Sequence, residues 1–313
     1  MKLKKAVLIG AGSIGGFKPE HIENVNTGVI SHGHAINRFC LPVAVIDPDP
    51  EKRNYVKNKW KFSAAVESLD FLPNKDKVDL WVIATPPETH RLVFESILPY
   101  ARGKMVLLEK PAGADKQDAE LIAAMAKTNR VQVFVNYQRC YLPDYQHRVL
   151  VQHIGSISEV TLHYCRGFKR DASHFFALLK LWGVVPCNSR LSTKGIPDFG
   201  KADLTFDAMA DRVHICAHDG RAADVFQVEV VGGKGRVVYE DHGKLFSLYT
   251  HKREVTFGDY NSWNNVPDVV VPTGLDNGLE HVYKSILQQH PRGFTIQDAL
   301  GVWNMMTNFL EAK

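Results

Sequence analysis

Cysteine is scarce in this chain of 313 residues, and its five copies, Cys40, Cys140, Cys165, Cys187 and Cys216, form no C-x-x-C pair. An odd, scattered set excludes a disulfide framework and reads as reduced thiols in a cytoplasmic protein. Long apolar runs are missing too: none approaches the ~18–20 residues that span a bilayer. The apolar stretch from Ala6 to Ile9 is shorter than the ~7–15-residue core of a signal peptide, and glycines follow it at once. No membrane partner is therefore expected. Charge of one sign is not in excess, since 38 Lys+Arg against 34 Asp+Glu leave +4. That surplus is too small to argue for nucleic acid. No G-x-S-x-G elbow is present, which removes the serine-hydrolase class. Repeats and low-complexity tracts are also absent.

Apolar residues are not in short supply. At 45% hydrophobic and 23% charged the composition is that of a globular protein, not a disordered one. The length suggests about two domains. In the first part, short apolar runs at residues 5–9, 41–46, 78–84, 104–108 and 131–135 alternate with helical patterns at 50–59, 88–100 and 115–127. Alternating β and α elements predict a parallel sheet with helices on both faces. The second part reads differently: a strand over 157–164, a helix over 172–182, then alternating stretches at 202–209, 212–217, 226–231, 236–240 and 245–250. Asp219-Gly220 and Gly232-Gly233 supply turns. The expectation is an α/β chain: a Rossmann parallel-sheet domain over 1–129, then an α+β domain over 130–313 with a mostly antiparallel sheet open on one face. A final helix is expected over 295–311, with Asp298 in its first turn. An open sheet face also suggests a homo-oligomer.

Gly10-Ala-Gly12-Ser13-Ile14-Gly15 fits G-x-G-x-x-G directly after the first strand. The first glycine permits a tight turn and the second lets the backbone approach a pyrophosphate. The third lets a helix pack close, with its free N–H groups toward the anion. The acidic residue for the ribose is expected about 20 residues on. The candidate, Asp47, ends the second strand but stands 35 positions after Gly12. The polar segment 17–31 accounts for the excess as an inserted loop, and its helix resumes at His32-Gly-His-Ala-Ile-Asn37. A carboxylate at Asp47 would accept from ribose hydroxyls and repel a 2′-phosphate. It favours NAD, while the nearby Lys52 and Arg53 leave NADP open.

After the fourth strand comes Glu109-Lys110-Pro111, at the strand end where ligands of such sheets bind. Ala84-Thr85-Pro86-Pro-x-x-His90 precedes it, and the strand itself reads Gly103-Lys-Met-Val-Leu-Leu-Glu-Lys-Pro111. In this order the pieces resemble the glucose–fructose oxidoreductase/inositol dehydrogenase (Gfo/Idh/MocA) family. The resemblance covers residues 1–115 strongly and continues more loosely through Asn136-Tyr137-Gln-Arg139 and Val230-Val-Gly-Gly-Lys-Gly235. It resembles members from sugar-nucleotide or polysaccharide biosynthesis, some of which carry an insert after the glycine turn.

That resemblance implies a dinucleotide held by Gly10, Gly12, Ser13, Ile14, Gly15, Asp47, Thr85, Pro86, His90, Glu109 and Lys110. It implies a dehydrogenase that oxidises a secondary alcohol, or reduces a ketone, of a sugar, polyol or nucleotide-sugar by hydride transfer. Lys110 is expected to contact substrate hydroxyl and nicotinamide ribose. His174, in Ala-Ser-His174-Phe, is the expected partner from the second domain. A buried, cation-flanked lysine or a histidine can have a pKa suited to removing the hydroxyl proton. The expected division has His174 accepting the proton and Lys110 stabilising the alkoxide, with the roles exchangeable. Tyr137, Arg139 and Asp171 are the substrate-binding candidates. Two departures stand out. Arg170 occupies the position, four before the histidine, where many members have aspartate, and Ala177 occupies another, three after it. They motivate the alternative of a catalytically impaired dinucleotide-binding sensor or structural protein. No metal is expected: His214-Ile-Cys216-Ala-His218 would share one strand face but reads better as ordinary sheet polarity. Phe175, Phe176 and Trp182 read as core, and Trp263 as a residue of a polar loop.

Overall fold

The computed structural model describes residues 3–17, 28–191, 196–197, 204–205, 208–210, 212–218, 224–253, 261–264 and 266–311. The chain divides into two compact units, one of Met1–Tyr141 with Asp276–Trp303, the other of Leu142–Leu275 with Asn304–Lys313.

The first unit is built on β1 (Lys5–Ile9), β2 (Leu41–Ile46), β3 (Ala64–Val66), β4 (Leu80–Ile83), β5 (Met105–Leu108) and β6 (Gln132–Val135). They lie side by side in the order β3-β2-β1-β4-β5-β6, every pair parallel. This is the doubly wound arrangement, in which the order reverses beside β1 and leaves a crevice at the carboxyl ends of the strands. The apolar runs exist because both faces are covered: Val7, Leu8, Val82, Ile83, Leu107 and Leu108 are all buried. β3 has only three residues, Ala-Ala-Val, too few for a run to declare itself in the sequence. β6 lies past the boundary expected near residue 130 yet completes this sheet.

The helices of this unit start where their caps place them. α1 (His32–Phe39) has Ser31 as N-cap, its hydroxyl accepting from His34 N–H. α2 (Pro50–Trp60) begins behind Asp49 with Pro50 in its first turn, and Lys61 ends it in the left-handed region. α3 (His90–Ala101) follows the Thr85–Thr89 turn. α4 (Lys116–Asn129) is capped by Asp115, whose carboxylate accepts from Asp118 N–H.

The second unit contains α5 (His147–Ile154), β7 (Ile157–Tyr164), α6 (Ser173–Trp182), β8 (Arg190–Leu191), β9 (Ile196–Pro197), β10 (Leu204–Thr205), β11 (Ala208–Ala210), β12 (Val213–Ala217), β13 (Phe226–Gly232), β14 (Gly235–Glu240), β15 (Leu245–Arg253), β16 (Asn261–Trp263) and β17 (Val269–Pro272). Its large sheet runs β16-β15-β14-β13-β7-β12-β11-β8, with β17 also on β15. Among the described strands every pair is antiparallel except β7 with β12. Alternation is clear on β7, where Val160, Leu162 and Tyr164 are buried while Thr161 and His163 are half-buried. Phe175 and Phe176 of α6 are buried, as the sequence suggested. Trp263 departs from expectation: it pairs with His251 as part of β16 rather than sitting in a loop. The turn expected at Asp219-Gly220 and much of the stretch 202–209 lie outside the described residues.

The chain then returns to the first unit. α7 (Gly278–Ile286) packs there, and α8 (Ile296–Leu310) begins there. Thr295 opens α8 by a reciprocal cap. Its N–H and hydroxyl donate to Asp298 Oδ2 at 2.9 and 2.7 Å, and Asp298 N–H donates back to the Thr295 hydroxyl oxygen.

Candidate active site

The glycine turn sits at the end of β1. Gly10 has φ +98°, and a Cβ there would lie 2.6 Å from the Ala84 carbonyl oxygen, so only glycine fits beside the end of β4. A Cβ at Gly15 would collide with the Gly10 carbonyl oxygen, because the turn folds tightly on itself. Gly12 differs: nothing lies within 4 Å of the place its Cβ would take. The backbone there faces open space of the kind a pyrophosphate needs. The N–H groups of Ser13 and Ile14 take no acceptor among the described residues. These features fit a dinucleotide held by Gly10, Gly12, Ser13, Ile14 and Gly15.

The insertion leaves the helix ladder intact. His32 N–H donates to Ile14 O at 2.8 Å and Gly33 N–H to Gly15 O at 3.0 Å. Residues 12–16 thus act as the turn preceding α1. Trp60 seals this seam, its indole N–H donating to Gly16 O at 3.2 Å and its ring stacked on His34 at 4.8 Å. The sequence alone did not single out Trp60.

Asp47 ends β2, as expected. Its Oδ2 accepts from Ala11 N–H at 2.7 Å and its Oδ1 from Asp49 N–H at 2.9 Å. The carboxylate is tied to the glycine turn, and each oxygen keeps a lone pair for a ribose hydroxyl. Lys52 is drawn to Asp49 at 3.0 Å. Arg53 donates through Nη1 to the carbonyls of Asp47 and Pro48.

Thr85 and Pro86 follow β4, where the Thr89 hydroxyl donates to Thr85 Oγ1 at 2.8 Å. His90 is fully buried. Its Nε2 lies 2.8 Å from Thr85 O and its Nδ1 3.1 Å from Pro111 O, so the imidazole sits between the turns after β4 and β5 and, when neutral, donates to one of the two carbonyls. Burial pushes its pKa below the ordinary histidine range, although both carbonyls and Glu109 favour the proton. His90, expected to bind cofactor, has its ring set between two backbone turns.

Glu109 is also a wall residue. Its Oε1 takes His32 Nε2 at 2.8 Å and Asn136 Nδ2 at 2.5 Å, and its Oε2 takes Lys110 N–H at 3.2 Å. Burial pushes this carboxyl up. The donors His32 and Asn136 and the neighbouring Lys110 outweigh that and hold it below the usual carboxylate range. Lys110 is half-buried at the start of a cis Lys110–Pro111 bond.

The substrate candidates divide. Tyr137 is buried, packed edge-on against Phe294 at 5.1 Å, which is a core position. Arg139 is half-buried in a short 3-10 turn over Gln138–Tyr141. In the second unit, a π-helical turn, Gly167–Ala172, runs directly into α6. Such turns recur at functional sites. His174 is half-buried on the first turn of α6, edge-on to Phe226 at 6.2 Å. Asp171 lies 3.5 Å from the guanidinium of Arg170, the residue standing in the aspartate position. Ala177 is buried in α6.

No group of three or more His, Cys, Asp or Glu side chains suited to a metal occurs among the described residues. In the stretch 214–218, His218 Nε2 lies 3.0 Å from His163 Nδ1 and His214 Nε2 lies 3.7 Å from Glu159 Oε1. No described helix is long and apolar enough to cross a membrane.

A glycine turn at the switch point, an acidic residue directly after β2 and a lysine just past β5 have the pattern of a dinucleotide-binding Rossmann domain. Residues 4–137 match the model of the Gfo/Idh/MocA oxidoreductase family, NAD-binding Rossmann fold. Over that stretch the chain is similar to the family. It is 26% identical over 170 residues to the scyllo-inositol 2-dehydrogenase (NADP(+)) IolU of Bacillus subtilis (strain 168), a match covering 54% of this chain and 51% of that relative. The curated relatives it matches are covered over only 32% and 51% of their own lengths. The fold extends further than the sequence similarity. UDP-N-acetylglucosamine 3-dehydrogenase GnnA from Acidithiobacillus ferrooxidans superposes with a TM-score of 0.73 at 17% identity, over 100% of this chain and 98% of that one. A levoglucosan dehydrogenase in complex with NADH and levoglucosan gives 0.70 at 13% identity, over 99% and 96%.

Proposed function

We propose that the chain is an NAD-dependent dehydrogenase acting on a secondary alcohol or ketone of a sugar, polyol or nucleotide-sugar. The observation that carries this reading is the junction of three strand-end turns in the first unit. Asp47 ties β2 to the glycine turn, and His90 sits between the Thr85 turn and Pro111, directly after Lys110. Such bracing serves a ligand that spans these turns, as a dinucleotide does. The substrates in the names of IolU, GnnA and levoglucosan dehydrogenase are a polyol, a nucleotide-sugar and a sugar derivative, which supports the substrate class.

The bound nicotinamide supplies the hydride acceptor or donor. The protein does the rest. The ammonium of Lys110 holds the substrate oxygen and stabilises negative charge as its proton leaves. The His174 imidazole takes that proton, and returns it in reduction. Asp47 prefers free ribose hydroxyls, hence NAD. Arg53 donates to two carbonyls through Nη1, and its other N–H groups leave NADP open. Arg139 and Asp171 orient the substrate hydroxyls. The working form is a homo-oligomer in the cytoplasm: β17 exposes Val269, Val270 and Val271 at 41%, 51% and 37%, apolar surface that a partner would cover.

A second reading, a dinucleotide-binding sensor without turnover, draws on Arg170 engaging Asp171 and on Ala177. A panel of polyols, sugars and nucleotide-sugars followed by NADH absorbance tests both. Turnover of any member supports the enzyme, and dinucleotide binding without turnover across the panel supports the sensor.

A further inference from the structure

Within the first unit a buried polar chain joins the glycine turn to the Glu109-Lys110 step. His32 has 0% exposure, and Glu109 has 8%. The His32 backbone N–H is bound to Ile14 O, inside the phosphate-binding turn. Its Nε2 lies 2.8 Å from Glu109 Oε1 and its Nδ1 3.0 Å from the Tyr283 hydroxyl of α7. With Glu109 a carboxylate, the Nε2 proton points at Oε1. In the neutral imidazole Nδ1 then receives the tyrosine proton. Asn136, at the end of β6, donates to the same Oε1. Glu109 thereby has three donors: His32, Asn136 and the Lys110 N–H.

A buried ionisable pair is a poor device for stability, since apolar residues of similar volume often do as well or better. It does fix geometry, because three donors leave the carboxylate one orientation. What it fixes here is the backbone from which Lys110 projects, and it fixes it relative to the dinucleotide turn. We propose that His32 is a positioning residue. Through Glu109 it sets Lys110 relative to the bound dinucleotide, with Tyr283 holding the imidazole in the required tautomer. This rests on the reading of Lys110 as the group beside the reacting centre.

The test compares the full-length wild type with H32L, H32Q, Y283F and K110A. NADH affinity is read by fluorescence titration. Lys110 is read separately, by peptide mass spectrometry of its acetylation by N-hydroxysuccinimide acetate with and without NADH. In H32L the Lys110 acetylation rate shifts by about tenfold and NADH protection of Lys110 is lost, while NADH affinity changes less than about threefold. H32Q restores both, because its amide nitrogen can donate to Glu109 from nearly the position of Nε2. Y283F falls between. A merely structural histidine would not show site-specific rescue. H32L with wild-type acetylation and protection overturns the proposal, as does H32Q behaving like H32L. Should H32L not fold, Glu109→Gln takes its place: it keeps the shape and removes the charge, and an unchanged Lys110 again overturns the proposal. Wild-type Lys110 left unprotected by NADH counts against the reading of the site instead, and the acetylation rates still decide the role of His32.

Discussion

The two units differ in where their ionisable side chains lie. In the first, buried His32, His90, Glu109 and Asn136 are locked to one another or to backbone at strand ends. In the second, polar residues of β7, β12, β13 and β14 line a half-exposed sheet face, as with Arg236 and Glu229 at 2.9 Å. A parallel sheet covered on both sides has no water to satisfy its polar groups, so each must find a fixed partner. An open antiparallel sheet leaves that work to solvent. Precision is therefore concentrated at the carboxyl ends of the first sheet. The polarity of the second sheet constrains little.

Substitutions can break this contrast, beginning with the largest effect. Lys110→Ala is expected to lower turnover by about 10³-fold or more while NADH titration stays near wild type. Turnover surviving in that variant removes Lys110 from the mechanism. Next come the glycines, where a pair of variants separates fold from function. Gly15→Ala forces a methyl against the Gly10 carbonyl, and should cost about 1–3 kcal/mol in denaturant unfolding. Gly12→Ala meets no protein atom, so its melting temperature should hold while dinucleotide affinity falls about tenfold through lost approach to the pyrophosphate. Equal melting losses in the two would contradict this geometry.

Asp47→Ser removes the carboxylate that disfavours a 2′-phosphate. The ratio of NADP to NAD affinity should rise by about tenfold, read by parallel titrations. A smaller effect separates the units by pH. The folded pKa values of Glu109 and His90 are both depressed. Each group contributes stability present above its unfolded pKa and lost as pH falls through its folded pKa. Unfolding free energy should decline as pH drops from the ordinary histidine range to below the carboxylate range. Glu109→Gln should flatten the carboxylate part of that slope. Smallest of all, Glu229→Gln on the half-exposed sheet should change stability by under about 1 kcal/mol. A large loss there would mean that face is covered and its ion pair desolvated.

Much of the first unit was legible because its signals are local. Gly10, Gly12 and Gly15 announce a turn that backbone contacts require. β3 was not legible, since Ala64-Ala-Val66 is too short to show a pattern. Tyr137 was ambiguous because a tyrosine after a strand end can face either ligand or core, and it packs edge-on against Phe294. Trp263 misled because its polar neighbours suggested a loop, while pairing with β15 makes it a strand.

From the order of residues alone came the glycine turn, Asp47 on its strand, the Glu109-Lys110-Pro111 step and the resumption of a helix at His32. Each is a short-range fact, set by backbone sterics, caps and hydrophobic period. Tertiary structure alone decided that His32, Glu109, Asn136 and Tyr283 meet, and that His90 sits between two turns. Partners 77 and 251 positions apart become neighbours only when the sheet stacks its strands and a late helix packs on the first unit. Burial then gives those contacts their force, because a charge removed from water must find its donors within the protein.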